Sequence, residues 1–324
     1  MKTIKLTSIS LAIALSMSLS LVSCGDDDTS SGPTLPPIGG FNSSDDVSAS
    51  NLVAKWSFEN NVTESKNNLT GTATRAAYTA GVKGQAWQGS STEDRYAVIN
   101  GATAVGTLSS FTYSIWINTA NTVAPGETPG IGKGAQGIFS LVKPDQFWGA
   151  MNLFLENPDS EKPNRLLLKL LVENKRTGVV WGSQSPVFNI DDALNTWTHV
   201  VFTYDAATSR FSVYQNGILG ISLSGAYSPA AGYPGTLIAY ANDPGDATNV
   251  NNAPLWGNLD FGGSYSTVLL GSHQFETTPS LTTATTEQPW ATSFAGKMDE
   301  FRIYKAPLTA AEVNAIYELE KAGR

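Results

Sequence analysis

Closely spaced carboxylates are the side chains of this sequence that could hydrolyse a glycosidic bond. Paired acids do this chemistry when one protonates the leaving oxygen and the other attacks the sugar or activates water. The densest acidic cluster is Glu156-Asn-Pro-Asp159-Ser-Glu161, in which Pro158 breaks any strand that would align the acids. Catalysis is therefore not expected, although carboxylates that the fold brings together remain an open alternative.

The single cysteine, Cys24, has the surroundings of a lipid-attachment site. Lys2 and Lys5 precede an apolar run over residues 11–22, and the run ends in Leu21-Val-Ser-Cys24. These are the basic, apolar and small-residue regions of a secretory leader, and the end of the run resembles a bacterial lipobox. We predict a lipoprotein signal peptide over residues 1–23 and acylation of Cys24, so that the membrane is reached through the lipid anchor alone. An ordinary secretory leader is the alternative.

The residues after Cys24 indicate where the protein resides. Gly25-Asp-Asp-Asp28 is similar to the surface-export signal of lipoproteins in some Gram-negative groups, which implies the outer face of the outer membrane. A solvated charge run is the alternative.

Residues 24–50 contain mostly Ser, Gly, Pro, Asn and Asp, which predicts a flexible acidic tether because they offer few apolar side chains to bury. One folded domain is predicted over residues 51–324.

The amino-acid composition favours one fold class and argues against several kinds of ligand site. The 324 residues include 30 Gly and 16 Pro and are only 15% charged, which favours short strands and turns over long amphipathic helices. A net charge of −8 offers no basic face for a phosphate backbone, so a nucleic-acid ligand is not expected. With His199, His273 and one cysteine, the chain has neither a zinc-ligand cluster nor a disulfide framework.

Strand-like runs separated by turn residues fill the region after residue 51. Phe111-Thr-Tyr-Ser-Ile-Trp-Ile alternates in the way that places one face on a core. Residues 166–173 do not alternate, which predicts a strand covered on both faces. Thr309 and Glu312 have capping-box spacing and predict a short final helix that closes one edge of the fold. The predicted strands are 52–58, 96–99, 111–118, 138–142, 151–155, 166–173, 198–205, 210–215, 268–271 and 296–304.

Several segments, in order, resemble the LamG-like domains of the concanavalin A-like lectin/glucanase superfamily. They are Leu52-Val-Ala-Lys-Trp-Ser-Phe-Glu-Asn60, Gly81-Val-Lys-Gly84, Thr196-Trp-Thr-His-Val-Val-Phe-Thr-Tyr-Asp205 and Phe294-Ala-Gly-Lys-Met-Asp-Glu-Phe-Arg-Ile-Tyr304. The resemblance implies an all-β fold, a two-sheet antiparallel jelly-roll sandwich with a short C-terminal helix. Residues 144–164 and 225–265 look like insertions into this pattern, and long loops of this kind are often functional.

The resemblance also bears on catalysis and on metal binding. Laminarinase-like relatives place three acids on one strand in an E-x-D-x-x-E pattern, which this chain lacks. Related sandwiches often hold a structural Ca²⁺ between the first and last strands, which nominates Glu59 and Asp299 as oxygen ligands. The alternative is that Asp299 accepts hydrogen bonds from backbone amides and Glu59 is solvated.

Aromatic residues of the insertions and of polar loops are the candidates for sugar binding, since flat rings stack on the apolar faces of pyranoses. For Trp148 and Trp256, packing in the core is an equally open interpretation. The six nominated residues are Trp148, Trp181, Tyr233, Tyr240, Trp256 and Trp290.

The leading hypothesis is a cell-surface lipoprotein that binds carbohydrate, either a polysaccharide or a host glycan, without catalysis. Its expected partners are outer-membrane transporters or hydrolases. A protein-binding adhesive or structural module is the alternative, and a divergent glycoside hydrolase is the third.

Overall fold

The strand-like runs form two large sheets in the computed structural model of the chain. The structure describes residues 35–126, 132–174, 187–220, 222–224, 236–238 and 255–324. In chain order the strands are β1 (Leu52–Trp56), β2 (Gly71–Thr74), β3 (Tyr78–Ala80), β4 (Gln85–Gln88), β5 (Tyr96–Ile99), β6 (Phe111–Asn118), β7 (Ala124–Pro125), β8 (Gly132–Lys133), β9 (Ala135–Leu141), β10 (Met151–Leu155), β11 (Leu166–Val172), β12 (Val187–Ile190), β13 (Thr198–Asp205), β14 (Arg210–Gln215), β15 (Ile218–Leu219), β16 (Ser222–Ser224), β17 (Thr236–Ile238), β18 (Val268–Leu270), β19 (Ala291–Ser293) and β20 (Lys297–Tyr304).

The two sheets have the layered architecture of a jelly-roll sandwich. The first sheet has the order β15-β14-β13-β6-β20-β4-β3, with β1 paired to β20 and β17 paired to β14. The second has the order β16-β12-β11-β10-β9-β18-β5-β2, with β19 parallel to the first half of β9. Strands β7 and β8 form a separate pair, and short 3₁₀ helices lie at Ser44–Asp46 and Val105–Thr107. The predicted all-β sandwich with one short helix is confirmed.

Period-two alternation places the core between the sheets. On β6, Phe111, Tyr113 and Ile115 join the main core, while Thr112 and Ser114 point to the outer side of the first sheet. The predicted bounds of β5, β6, β10, β13 and β14 agree with the structure. Runs of strand-favouring residues between turn residues therefore located these strands, and β6 and β14 also show clear alternation.

Strand β11 differs from its prediction. Leu166, Leu168 and Leu170 enter the main core, whereas Leu167 and Lys169 are only partly buried on the outer face. The strand is thus covered fully on one face only. Only its second half is also covered on the outer face, where Leu171 is buried, and the apolar Leu167 and Leu171 concealed the alternation in the sequence.

The single α-helix in the described part of the chain, α1 (Ala310–Lys321), begins where its capping box predicts. The Thr309 side chain accepts from the Glu312 amide at 3.3 Å, and Glu312 accepts from the Thr309 amide at 2.8 Å. Val313 and Ile316 pack on Val201 and Tyr304, which point outward from β13 and β20. The helix therefore covers the outer face of the first sheet, which corrects the expectation that it closes an edge. Among the described residues, no helix has the length and apolar character needed to cross a membrane.

The folded unit begins earlier than the predicted boundary at residue 51. Residues 37–324 form one compact unit. Val47 is fully buried, and Ile38 and Phe41 pack on the same apolar cluster as α1. The second half of the predicted flexible tether is thus part of the domain. A few apolar side chains pack this segment on the domain, although its composition is that of a linker.

Buried charges join this N-terminal segment to the end of the chain. The Arg302 side chain is fully buried and donates from Nε to Glu320 at 2.7 Å, from Nη2 to Glu300 at 2.5 Å and from Nη1 to Asp45. Lys55 contacts Asp45 at 2.7 Å and Glu300 at 3.3 Å. These five residues form the Arg302 network, in which each buried charge has an opposite charge beside it.

We predict that Arg302→Leu lowers the free energy of unfolding by about 3–5 kcal/mol, because it leaves the buried Glu320 without its cation and Glu300 with Lys55 alone. Urea denaturation measures the change. The control is Arg75→Leu, since the Arg75 side chain is 57% exposed and lies 3.9 Å from Glu93. That control should shift stability by no more than about 0.5 kcal/mol. Equal losses in the two variants would contradict the role of the network.

Candidate functional site

Alternation on the second sheet turns a set of polar and aromatic side chains outward. On β10, Met151 and Leu153 face the core, while Asn152 and Phe154 face the outer side. Phe154 is paired across the sheet with Lys169 on β11, which is paired with Val187 on β12. The outer face of this sheet is therefore a row of adjacent side chains that crosses several strands.

Six rings from three distant segments meet on this face. Trp148 stacks on Phe154 with a centroid distance of 5.2 Å and lies 5.5 Å from Trp290. Phe154 and Phe275 are buried, whereas Phe147, Trp148 and Trp290 are partly buried and keep exposed surface. We call these residues the aromatic cluster: Phe147, Trp148, Phe154, His273, Phe275 and Trp290. Its exposed part offers flat apolar rings to a ligand.

A buried histidine and amide fix the position of Trp148. Asn152 Nδ2 donates to the Trp148 carbonyl at 3.1 Å and lies 3.1 Å from His273 Nδ1, while His273 Nε2 lies 3.3 Å from the Ala135 carbonyl. This pattern fits a neutral imidazole that carries its proton on Nε2. Burial lowers the pKa of His273 to about 3, so the ring stays neutral and packs like an aromatic residue.

Carboxylate and cation contacts hold the loop that carries Trp290. Glu276 accepts from the Gln288 amide at 2.7 Å, and Lys133 contacts Glu287 at 3.0 Å. The Trp290 carbonyl accepts from the Ala135 amide at 3.2 Å. Burial raises the pKa of Glu276 to about 7, against the opposing effect of the hydrogen bond from Gln288. The loop is therefore anchored just before its tryptophan and at the carbonyl of the tryptophan itself.

An open groove of about 640 Å³ lies beside the aromatic cluster. Its floor contains Leu167, Val187 and Asn189 from β11 and β12, and the loop over residues 156–161 forms a wall. Glu156 of this wall contacts Lys169 at 2.8 Å, and Lys169 Nζ lies 6.0 Å from the centre of the Phe154 ring. The groove thus adjoins the aromatic cluster through Lys169.

Acids of the Glu156–Glu161 segment line this groove, and backbone amides and Arg165 hold Asp159 in place. Asp159 accepts from the amides of Glu161 at 2.8 Å and Lys162 at 3.0 Å and contacts Arg165 at 3.4 Å. The backbone hydrogen bond from Lys162, followed by that from Glu161, lowers the pKa of Asp159. A general acid in a glycosidase needs the opposite shift. These contacts therefore hold the loop in place and favour the ionised form of the Asp159 carboxylate.

The two predicted calcium ligands meet at one turn. Asp299 Oδ2 accepts from the amides of Val82 at 2.8 Å and Lys83 at 3.1 Å, and Glu59 Oε2 accepts from Gln85 at 3.1 Å. Gly84 has a φ of +66°, which favours glycine, and a Cβ atom there would lie 2.1 Å from Glu59 Oε1, so a larger residue would displace the glutamate side chain. Asp299 is buried, and this burial raises its pKa to about 7, whereas Glu59 is exposed.

This turn presents hard oxygen donors, which are the ligands that calcium prefers. Among the residues that the structure describes, no group of three or more His, Cys, Asp or Glu side chains could hold a metal ion. A cation bound here would therefore need backbone carbonyls in addition to Glu59 and Asp299. The same two carboxylates also serve as acceptors for the amides of the turn.

The six aromatic residues nominated from the sequence do not all lie at one site. It brings Trp148 and Trp290 together in the aromatic cluster. Trp256 is fully buried in the main core, with ring centres 5.9 Å from those of Tyr204 and Phe211, so it has the position of a packing residue. The remaining three, Trp181, Tyr233 and Tyr240, lie outside the described residues.

Sequence reasoning missed His273 and Phe275 as parts of this site. Their rings stack on each other with a centroid distance of 4.9 Å. Both rings contact Trp148 edge-on, with centroid distances of 5.7 Å for His273 and 5.5 Å for Phe275. The two residues are separated by one position, which suggests a shared face. They lie in an irregular segment, however, so no strand pattern in the sequence indicated that they share a face.

The chain matches a known protein family over most of its middle region. A laminin G family model, described as the concanavalin A-like lectin/glucanases superfamily, matches residues 90–269, which is more than half of the chain. A comparison with curated proteins finds no match.

Solved structures with a similar fold come from several kinds of protein. Domain 4 of AbnA, an extracellular arabinanase from Geobacillus stearothermophilus in complex with arabinotriose, is 20% identical with a TM-score of 0.44, over 82% of this chain and 97% of that domain. Trypanosoma rangeli sialidase is 15% identical with a TM-score of 0.47, over 84% of this chain and 33% of the sialidase. The binding domain of botulinum neurotoxin DC, in complex with rat synaptotagmin II, is 13% identical with a TM-score of 0.46, over 85% of this chain and 52% of that chain. The chain thus spans one third of the sialidase and about half of the neurotoxin domain.

Proposed function

The chain belongs to the concanavalin A-like lectin/glucanases superfamily, and from that premise we propose that it is a non-catalytic, carbohydrate-binding lipoprotein of the bacterial cell surface. The observation that supports this proposal most strongly is the meeting of Trp148 and Trp290. Their rings are 5.5 Å apart, partly exposed, and set on a rigid sheet beside an open groove. Such pre-positioned rings are what recognition of a sugar face requires.

A protein-binding module is the second candidate. An exposed apolar patch with a polar rim can also receive a protein, which needs a larger contact of about 1,200 Å² or more in total. A groove beside paired tryptophans favours the narrower carbohydrate ligand. A divergent glycoside hydrolase is the third candidate, and the ionised, amide-bonded Asp159 is unfavourable to it.

We expect Trp148→Ala and Trp290→Ala each to weaken carbohydrate binding by roughly tenfold, since each removes one stacking surface. A polysaccharide and glycan array identifies the ligand, and calorimetry measures the affinities. The protein is the chain from residue 24 with Cys24→Ser. Ile218→Ala is the control, because Ile218 is 70% exposed and lies on the first sheet. Binding that persists in both tryptophan variants would place the site elsewhere, and binding to no carbohydrate would refute the proposal.

The proposal includes anchoring through Cys24 in the outer membrane of a Gram-negative bacterium, with the domain facing outward and its transport or hydrolase partners nearby. Growth with an alkyne-labelled fatty acid should label the wild-type protein and not the Cys24→Ser variant. Protease added to intact cells should degrade the wild-type protein. Label on the Cys24→Ser variant would contradict the anchor, and resistance to protease would contradict surface exposure.

We also propose that the Glu59–Asp299 turn takes a structural calcium ion. Millimolar Ca²⁺ at neutral pH should raise the melting temperature by about 4 °C, because an ion that binds only the folded state stabilises it. Equal Mg²⁺ should have a smaller effect. Asp299→Asn should abolish the shift, and Asp145→Asn, at an exposed acid, should keep it. The absence of a calcium-dependent shift in the wild-type protein would leave Glu59 and Asp299 as acceptors for turn amides only.

A further inference from the structure

The aromatic cluster and the groove form one surface that runs across the second sheet. Trp290 precedes β19, which pairs with β9, and β9 is followed across the sheet by β10, β11 and β12. These five strands are separated by four intervals, or about 19 Å at the usual strand spacing. A single sugar ring cannot cover this span, whereas an oligosaccharide can.

Contacts connect the two ends of this surface without interruption. Trp290 contacts Trp148, Trp148 stacks on Phe154, and Lys169 lies over Phe154. Lys169 is bound to Glu156, which already belongs to the wall of the groove. Beyond it, Asn157 and Ser160 supply amide and hydroxyl groups that can bond sugar hydroxyls.

The cations Lys133, Lys169 and Arg165 along the described surface are each paired with a carboxylate. Lys133 contacts Glu287 at 3.0 Å, and Lys169 contacts Glu156 at 2.8 Å. Arg165 contacts Asp191 at 2.7 Å and Asp159 at 3.4 Å. A uronate or sulfate group would have to break one of these pairs and would approach a chain with a net charge of −8. The surface therefore fits a neutral ligand.

We infer that the groove over β11 and β12 is a second subsite for the same ligand, and that this ligand is a neutral polysaccharide. This inference rests on the proposed function, in which the aromatic cluster binds sugar. The tryptophans stack on one part of the polymer, and the groove holds rings further along it.

The test is the dependence of affinity on ligand length. Calorimetry would use neutral cello-, laminari- and arabino-oligosaccharides from the monosaccharide to the octasaccharide, with polygalacturonate as the acidic polymer. We expect at least a roughly tenfold gain in affinity between the disaccharide and the hexasaccharide of the ladder that binds. Leu167→Lys, which fills the groove floor with a longer chain, should remove this gain and leave disaccharide binding unchanged. Trp290→Ala should weaken every length, and Ile218→Ala should alter none.

The outcomes separate this inference from the proposed function. Equal affinity for disaccharide and hexasaccharide, or full hexasaccharide affinity in Leu167→Lys, would overturn the second subsite while carbohydrate binding stands. Tighter binding of polygalacturonate than of the neutral ladders would overturn the neutral ligand. Binding to no carbohydrate of any length, on the ladders or on the wider array, would overturn both. Unchanged melting temperatures of the variants would show that the losses do not come from unfolding.

Discussion

A guanidinium group in an apolar interior must be matched by carboxylates, and Arg302 finds its partners in parts of the chain that are far apart. Asp45 comes from the N-terminal segment, Glu300 from the same strand β20, and Glu320 from the last turn of α1. Because desolvated charges are costly when unpaired, these three elements must assemble together. Trp116 Nε1 adds a 2.7 Å hydrogen bond to Glu320 and so joins the network to β6.

This assembly gives the two outer faces of the sandwich different surroundings. The Arg302 network holds α1 and residues 37–47 on the first sheet, where Val47, Val201 and Ile316 share one apolar cluster. On the second sheet, the described covering consists of loops that carry Phe147, Trp148 and Trp290. The outer face of the first sheet therefore holds α1 and residues 37–47, and that of the second sheet carries the partly exposed rings of the aromatic cluster.

Rigid support distinguishes the aromatic cluster from a chance group of exposed rings. His273 remains neutral because it is buried, and its two nitrogen atoms lie within hydrogen-bonding distance of Asn152 and the Ala135 carbonyl. Asn152 in turn bonds the backbone of Trp148. Side chains fixed in this way lose little conformational freedom when a ligand binds, which favours affinity.

The sequence by itself determined those features of the fold that depend on residues close together in the chain. The alternation of Phe111 to Ile117 located β6, and the Thr309–Glu312 pair located the start of α1. Only the tertiary structure decided that Trp148 and Trp290 meet, that Trp256 is buried, and that residues 37–50 fold. These outcomes depend on strand order and on charge pairs between distant segments. Local patterns of hydrophobicity and turn residues carry no information about which distant segments become neighbours.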